Sequence, residues 1–286
     1  METVLQVTEL CKTFGGFSLD NVSFSILEGC ITGFIGANGA GKTTTLRAIL
    51  GLTQRDSGSV QIFGMDAAAH AQEVKDRIGV VLDHGCFYEE LTLQEMKSVV
   101  APAYSTWREE DFRYYMERFA LQPKQRIQTL STGMKMKFAL ALALSHQAEL
   151  LIMDEPTSGL DPLVRRQFLD LLREYMEKGG RGVLFSTHIT LDLDKVADML
   201  VMIDHGKILF QEEKDALLEK YRIVKGDRVM LTDAVRQKFM TLEETAFGFS
   251  GLTSHAEELM AAFPDLVVER PTIEDIMLGH IKGGVV

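Results

Sequence analysis

The chain has 286 residues, 46% of them apolar, enough to bury a sizeable core and to supply one large domain plus a small one. Its 41 acids against 30 bases leave a net charge of −11, which disfavours nucleic acid as the main partner and direct docking on anionic lipid. Cys11, Cys30 and Cys86 are odd in number and scattered without a C-x-x-C pair, which points to free thiols in a reducing cytoplasm rather than a disulfide or zinc framework.

Residues 1–6 lack the basic region and apolar core of a signal peptide, and the most apolar run, residues 138–144, is far short of the ~20 residues a membrane span needs. The expectation is a chain that neither crosses nor enters a membrane by itself. Residues 4–12, 17–27 and 31–35 read as short strands, the second with Val22, Phe24 and Ile26 alternating. Such an opening suggests a small β subdomain flanking the loop at residues 36–44.

That loop, Gly36-Ala37-Asn38-Gly39-Ala40-Gly41-Lys42-Thr43-Thr44, fits G-x-x-x-x-G-K-[ST], the phosphate-binding loop of nucleoside-triphosphate enzymes. It sits between an apolar strand and a helix whose apolar face is Leu46, Ile49 and Leu50, the context the pattern requires. The glycines let backbone N–H groups turn inward around phosphates, and the helix N-terminus adds partial positive charge. Lys42 is expected to reach the β- and γ-phosphates and the Thr43 hydroxyl to ligate Mg²⁺.

Further strands are expected at residues 59–63 and 78–82, then helical character over 92–146 with Leu93, Met96 and Val100 at helical spacing. Ser131, before Thr132 and Gly133, is a natural N-cap, and it opens an anion-binding helix start with nothing yet to bind. Residues 150–153 form an apolar strand that ends in Asp154 and Glu155. Beside a phosphate loop, Asp154 would hold Mg²⁺ through its water shell and Glu155 would polarise the attacking water. A helix is expected over 162–178, stopped by Gly179 and Gly180, and a strand over 182–186 delivers His188 to the ligand-facing end of a parallel sheet. A hairpin over 199–210 turns around Asp204, His205 and Gly206. Strands alternating with helices mean a mainly parallel α/β core.

Beyond a boundary near Tyr221 the expected order is strand (222–231), helix (233–240), a Gly-rich segment, helix (254–263) and strand (266–270). A last helix opens at Thr272 with Asp275 as capping partner.

The order of these motifs resembles the ATP-binding-cassette (ABC) family over roughly residues 2–215. The resemblance implies a P-loop NTPase of ABC ATPase fold: a RecA-like parallel sheet core, an N-terminal antiparallel β subdomain, and a helical signature subdomain at about 84–146. The ATP-binding domain would span 2–220 and a small C-terminal α/β appendage 221–286. In this resemblance residues 36–44 are the Walker A loop, Ser131, Thr132 and Gly133 belong to the signature, and Asp154 and Glu155 end the Walker B strand. Ser158 to Asp161 match the D-loop, His188 the switch histidine, and Phe14 the aromatic that stacks on adenine. Two chains would pair head to tail, so that Ser131, Thr132, Gly133 and Asp161 face the ATP held by the opposite chain.

Two departures stand out. Thr132 and Met134 replace the family's usual glycine and glutamine, which implies slower hydrolysis. Asp83, followed by His84, stands where the family places a glutamine that touches Mg²⁺ and senses the transport subunit. If Asp83 reaches the metal, its charge is expected to hold the hard cation more tightly.

The leading expectation is therefore an ATPase with ATP and Mg²⁺ as cofactors, Glu155 and His188 catalytic, and Thr43, Asp154 and Asp83 at the metal. It would serve a membrane transporter of bacterial exporter or acetoin-utilisation type. Its partners would be a separate integral-membrane permease and a second ATP-binding subunit, in a homodimer or heterodimer, without nucleic acid. It would sit on the cytoplasmic face of the membrane, held there by the permease. A soluble cassette ATPase acting on ribosomes or DNA is the main alternative, set against a single cassette, no heptad run and an acidic balance. A GTPase is disfavoured by the lack of an Asn-Lys-x-Asp motif.

Overall fold

The computed structural model describes residues 2–82 and 87–283, and the order of its strands explains how motifs far apart in sequence come to one edge. β1 (Thr3–Phe14) and β2 (Phe17–Leu27) form a hairpin, and β3 (Ile31–Ile35) is buried at every residue. Next in the chain are α1 (Lys42–Ile49), β4 (Ser57–Ile62), β5 (Met65–Asp66), α2 (Ala71–Arg77) and β6 (Ile78–Val81).

The stretch expected to be helical over 92–146 is three helices with irregular joints. They are α3 (Leu93–Val100), α4 (Glu109–Arg118) and α5 (Thr132–Leu144). α3 starts at a capping box in which Thr92 and Glu95 each bond the other's backbone N–H. Beyond it lie β7 (Leu150–Asp154), α6 (Pro162–Met176), β8 (Gly182–Thr187), α7 (Thr190–Val196), β9 (Met199–Asp204), β10 (Lys207–Glu213) and α8 (Lys214–Lys220).

Three sheets organise the chain. The central one has the order β10-β9-β3-β8-β7-β6, parallel from β9 to β6, with β10 antiparallel at one edge. Its inner strands are continuous apolar runs because helices cover one face and a second sheet the other. That second sheet, β2-β1-β4-β5, is antiparallel. Val22, Phe24 and Ile26 alternate inward from it, and the stacked rings of Phe24 and Phe34, 5.3 Å between centroids, join the two sheets. On the opposite face Phe138, Leu140, Phe168 and Phe185 pack with Leu151 and Met153 in the largest core. The fold is thus the ABC ATPase arrangement of parallel core sheet, antiparallel β subdomain and helical insert.

After Tyr221 come β11 (Arg222–Asp227), α9 (Asp233–Arg236), β12 (Thr241–Glu244), β13 (Gly248–Thr253), α10 (Ala256–Ala262), β14 (Val267–Glu269) and α11 (Ile273–Gly283). Here the sequence reading differs from the structure. The expected helix over 233–240 is a single turn, and the Gly-rich segment is the β12–β13 hairpin. Gly248 and Gly251 are needed there because a Cβ at either would meet a backbone carbonyl oxygen, that of Gly226 at 2.5 Å and that of Thr241 at 2.4 Å. The sheet order β12-β13-β11-β14, antiparallel throughout, is the split βαβ arrangement of ferredoxin-like units. α9 and α10 pack on one face around Val224, Phe249 and Leu259. Leu252 on the other face meets Ile273, Ile276 and Met277 of α11, which also packs on α7.

Candidate functional site

The loop from Gly36 to Gly41 joins β3 to α1, and close approach calls for glycine at Gly36 and Gly41. A Cβ at Gly36 would lie 2.2 Å from the carbonyl oxygen of Ile203, and Gly41 has φ 116 with Phe17 and Leu19 both 2.9 Å from where a Cβ would sit. Ala40 is buried, and its carbonyl accepts from the Gly206 N–H at 2.9 Å, so the β9–β10 hairpin braces the loop from below.

Lys42, only 6% exposed, folds back on the loop. Its Nζ donates to the carbonyls of Gly36 (2.8 Å) and Ala37 (3.3 Å) and lies 3.5 Å from Glu155 Oε1. Thr43 is exposed and Thr44 half-buried at the helix start, the geometry of an open anion site.

A cleft of about 550 Å³ opens in front of this loop. Asn38, Gly39, Gly41, Lys42, Thr43 and Thr44 line it together with Phe17, Ser158, Glu155 and His188. Glu155 stands just past the end of β7 with the left-handed φ of 48, and its carboxylate is tied on both sides. Oε2 accepts from the backbone N–H of His188 at 3.2 Å and lies 2.8 Å from His188 Nδ1, while Oε1 faces Lys42. Asp154 is 2% exposed, and its Oδ1 accepts from the buried Ser186 hydroxyl at 2.5 Å.

The donor set suits Mg²⁺. The Thr43 hydroxyl and the Asp154 carboxylate are hard oxygens, and Asp154 is buried without any cation paired to it among the described residues. No group of three or more His, Cys, Asp or Glu that could hold a metal ion converges among the described residues.

Other expected residues lie elsewhere. Phe14 ends β1, 42% exposed, with Lys12 Nζ 5.6 Å from its ring centre; it does not line the cleft, whereas its hairpin partner Phe17 does. Ser131 caps α5 by accepting from the Met134 N–H at 3.3 Å. Ser131 and Thr132 are exposed and Gly133 half-buried, and none of the three lines the cleft of its own chain. Thr132 instead walls a neighbouring cavity of about 280 Å³ with Glu155 and Ser158. Asp161 caps α6, its Oδ1 accepting from the N–H groups of Leu163 and Val164 at 3.0 Å each. Asp83 falls outside the described residues.

Sequence reasoning passed over Phe17 and Ser186. Phe17 had the signal of being the second aromatic beside Gly15 and Gly16, paired with Phe14 across a short hairpin, but Ser186 belongs to no motif and is found only through strand pairing.

The ABC transporter family profile matches residues 19–158. The chain is 32% identical over 269 residues to the bacitracin transport ATP-binding protein BcrA of Bacillus licheniformis, covering 93% of this chain and 87% of that protein. It is 30% identical to the Nod factor export ATP-binding protein I of Rhizobium sp. (strain N33), covering 93% of each. Among solved structures, an ATP-binding subunit of an ABC transporter superposes with a TM-score of 0.69 at 29% identity, covering 76% of this chain and 92% of that one. The phosphate loop, the paired carboxylates of β7 and the histidine after β8 thus meet in a chain that aligns with these relatives over most of its length, and the protein belongs to the ATP-binding subunits of ABC transporters, which hydrolyse ATP to power transport.

Proposed function

We propose that the cleft before α1 is the ATP site, with Lys42 and the loop N–H groups on the phosphates and Glu155 as the base for the attacking water. The observation that carries this is the placement of Glu155 between Lys42 and His188 at the rim of the phosphate loop. The loop's own carbonyls hold Lys42, and bound β- and γ-phosphates would take it over. A more strongly anionic partner outcompetes neutral carbonyls. That exchange also releases Glu155 Oε1 from Lys42. His188 keeps Oε2 oriented, so Oε1 is the oxygen free to accept the water's proton.

Mg²⁺, when bound through Thr43 and Asp154, supplies Lewis-acid polarisation and charge neutralisation of the triphosphate. Phe17 and Phe14 are the two candidates to stack on the adenine ring: Phe17 lines the cleft, and Phe14 is its exposed hairpin partner. Asp83, by its place in sequence, belongs with the metal or the permease contact.

The signature residues Ser131, Thr132 and Gly133 lie outside their own chain's cleft, which supports a head-to-tail pair in which they and Asp161 serve the partner's nucleotide. A capped helix start with exposed N–H groups is an anion site needing an anion from outside. No helix among the described residues is long and apolar enough to cross a membrane. The relatives, named as ATP-binding proteins of transport and export systems, support a separate permease chain holding this subunit at the cytoplasmic face. The relatives named for bacitracin transport and Nod factor export favour export, with residues 2–220 as the motor and 221–286 as an appendage. The acidic balance argues against nucleic acid as a partner.

Purifying the tagged protein from native membranes tests the assignment. An integral-membrane chain that co-purifies and raises its ATPase rate is expected; recovery with ribosomes or DNA overturns it.

A further inference from the structure

The Walker B carboxylate and the residue after it share one neighbour on the next strand. The last residue pair of the β7–β8 ladder is Asp154 opposite Ser186, and Ser186 is fully buried. Its hydroxyl donates to Asp154 Oδ1 at 2.5 Å, the length of a charge-assisted bond. The same hydroxyl oxygen accepts from the Glu155 N–H at 3.3 Å, and the Ser186 carbonyl accepts from that N–H at 3.0 Å. One residue therefore holds the Asp154 carboxylate and the peptide of Glu155 together.

Both ends need holding. Glu155 has φ 48, a left-handed backbone that a side chain with Cβ adopts at a cost, and the double acceptor at Ser186 fixes it there. Asp154, 2% exposed, would otherwise be a buried carboxylate without a donor among the described residues. Two residues beyond Ser186, just past the same strand end, stands His188, so one stretch of chain positions Asp154, Glu155 and His188.

We propose that Ser186 is a positioning residue of the ATPase reaction. Its hydroxyl commits one oxygen of Asp154 to the protein, sets the direction in which the carboxylate meets Mg²⁺, and anchors the backbone from which Glu155 projects. The inference rests on the ATP-site assignment above. Outer-shell bonds of this kind are worth about 10- to 100-fold in metal affinity or activity.

The test is Ser186→Ala beside Ser186→Thr, which keeps the hydroxyl in a strand that tolerates β-branching. Three quantities are read: kcat, the affinity of a fluorescent ATP analogue with Mg²⁺ and with EDTA, and the melting temperature. Ser186→Ala is expected to lower kcat by about 10- to 100-fold and to raise the Mg²⁺ concentration for half-maximal nucleotide binding by about tenfold. Binding in EDTA should stay within about twofold of wild type, and Ser186→Thr should recover both quantities.

Wild-type kcat and Mg²⁺ dependence in Ser186→Ala overturn the inference. A fall in melting temperature in both variants with Mg²⁺ dependence unchanged overturns it as well, since that is the mark of a packing role alone. Failure of the underlying ATP-site assignment looks different: wild type itself would bind no nucleotide, or Lys42→Ala would bind it as well as wild type does.

Discussion

Glu155 and His188 are joined twice, by the backbone N–H of His188 at 3.2 Å and by its Nδ1 at 2.8 Å, both to the same carboxylate oxygen. The histidine ring is 42% exposed while the glutamate is 12% exposed, so a solvent-reachable group orients a sheltered one. Glu155→Gln keeps the shape but loses the basic oxygen. ATP hydrolysis is expected to vanish while ATP binding stays, with an ATP-dependent dimer appearing on size-exclusion chromatography. His188→Ala is expected to lower the rate by about 10²- to 10⁴-fold. Wild-type turnover in Glu155→Gln removes the glutamate from the mechanism.

Ser131 caps a helix start that lies outside its own chain's cleft, where the proposed head-to-tail pair would bring the partner's nucleotide. Ser131→Arg is expected to leave ATP affinity of the monomer nearly unchanged but to block dimer closure, because the large cation fills the approach to the opposite phosphate. In mixed dimers, Ser131→Arg in one chain with Lys42→Ala in the other puts both lesions in a single composite site. Residual ATPase in that dimer reports an independent second site, and none reports coupled sites. No effect of Ser131→Arg in any combination rules out the head-to-tail pair.

The Gly36 backbone runs so close to the β9–β10 hairpin that an added Cβ would meet the Ile203 carbonyl oxygen at 2.2 Å. Backbone cannot swing aside as a flexible side chain can. Gly36→Ala should therefore shift the loop, weaken nucleotide binding by at least tenfold and cost about 1–3 kcal/mol of stability. Gly39→Ala is the control: its Cβ would meet open space, and only its φ of 80 is strained. Equal nucleotide affinities for Gly36→Ala and wild type in a titration would contradict the close-approach argument.

His146 is fully buried, stacked on Tyr104 with ring centres 3.9 Å apart, and Nδ1 lies 3.2 Å from the Asp76 carbonyl oxygen while Nε2 has no partner among the described residues. Burial pushes its pKa below the ordinary 6.5, opposed by the Asp76 carbonyl bond. A depressed folded-state pKa means the unfolded chain takes up the proton first. The stability it contributes is present above about pH 6.5 and is lost as pH falls from there towards the lower folded value. His280, lowered by burial and by the Lys220 charge, acts in the same direction. The melting temperature should drop between about pH 7.5 and 5, and His146→Phe, which keeps the stack on Tyr104, should shrink that drop. An unchanged drop in the variant would assign the pH dependence to other groups.

Residues 36–44, the pair Asp154–Glu155, the Ser131 cap and the position of His188 were legible because each is local chemistry. A turn that needs glycine, a capped helix start and a strand end with carboxylates are written in neighbouring residues. The parallel core was legible too, from apolar runs alternating with helical spacing. The β12–β13 hairpin was not, because Gly248 and Gly251 look like a loop until the neighbouring strands show why only glycine fits. Phe17 rather than Phe14 lining the cleft depends on which ring the β1–β2 hairpin turns inward over Gly41.

The candidate catalytic cluster is a tertiary product. Ser186 meets Asp154, and His188 meets Glu155, only because β7 and β8 pair in parallel with Asp154 opposite Ser186. A shift of one residue in that ladder would turn Ser186 to the other face of the sheet and take its hydroxyl from the carboxylate. The sequence by itself determined which groups are present for the chemistry; strand register, set by burial across the whole core, decided which of them touch.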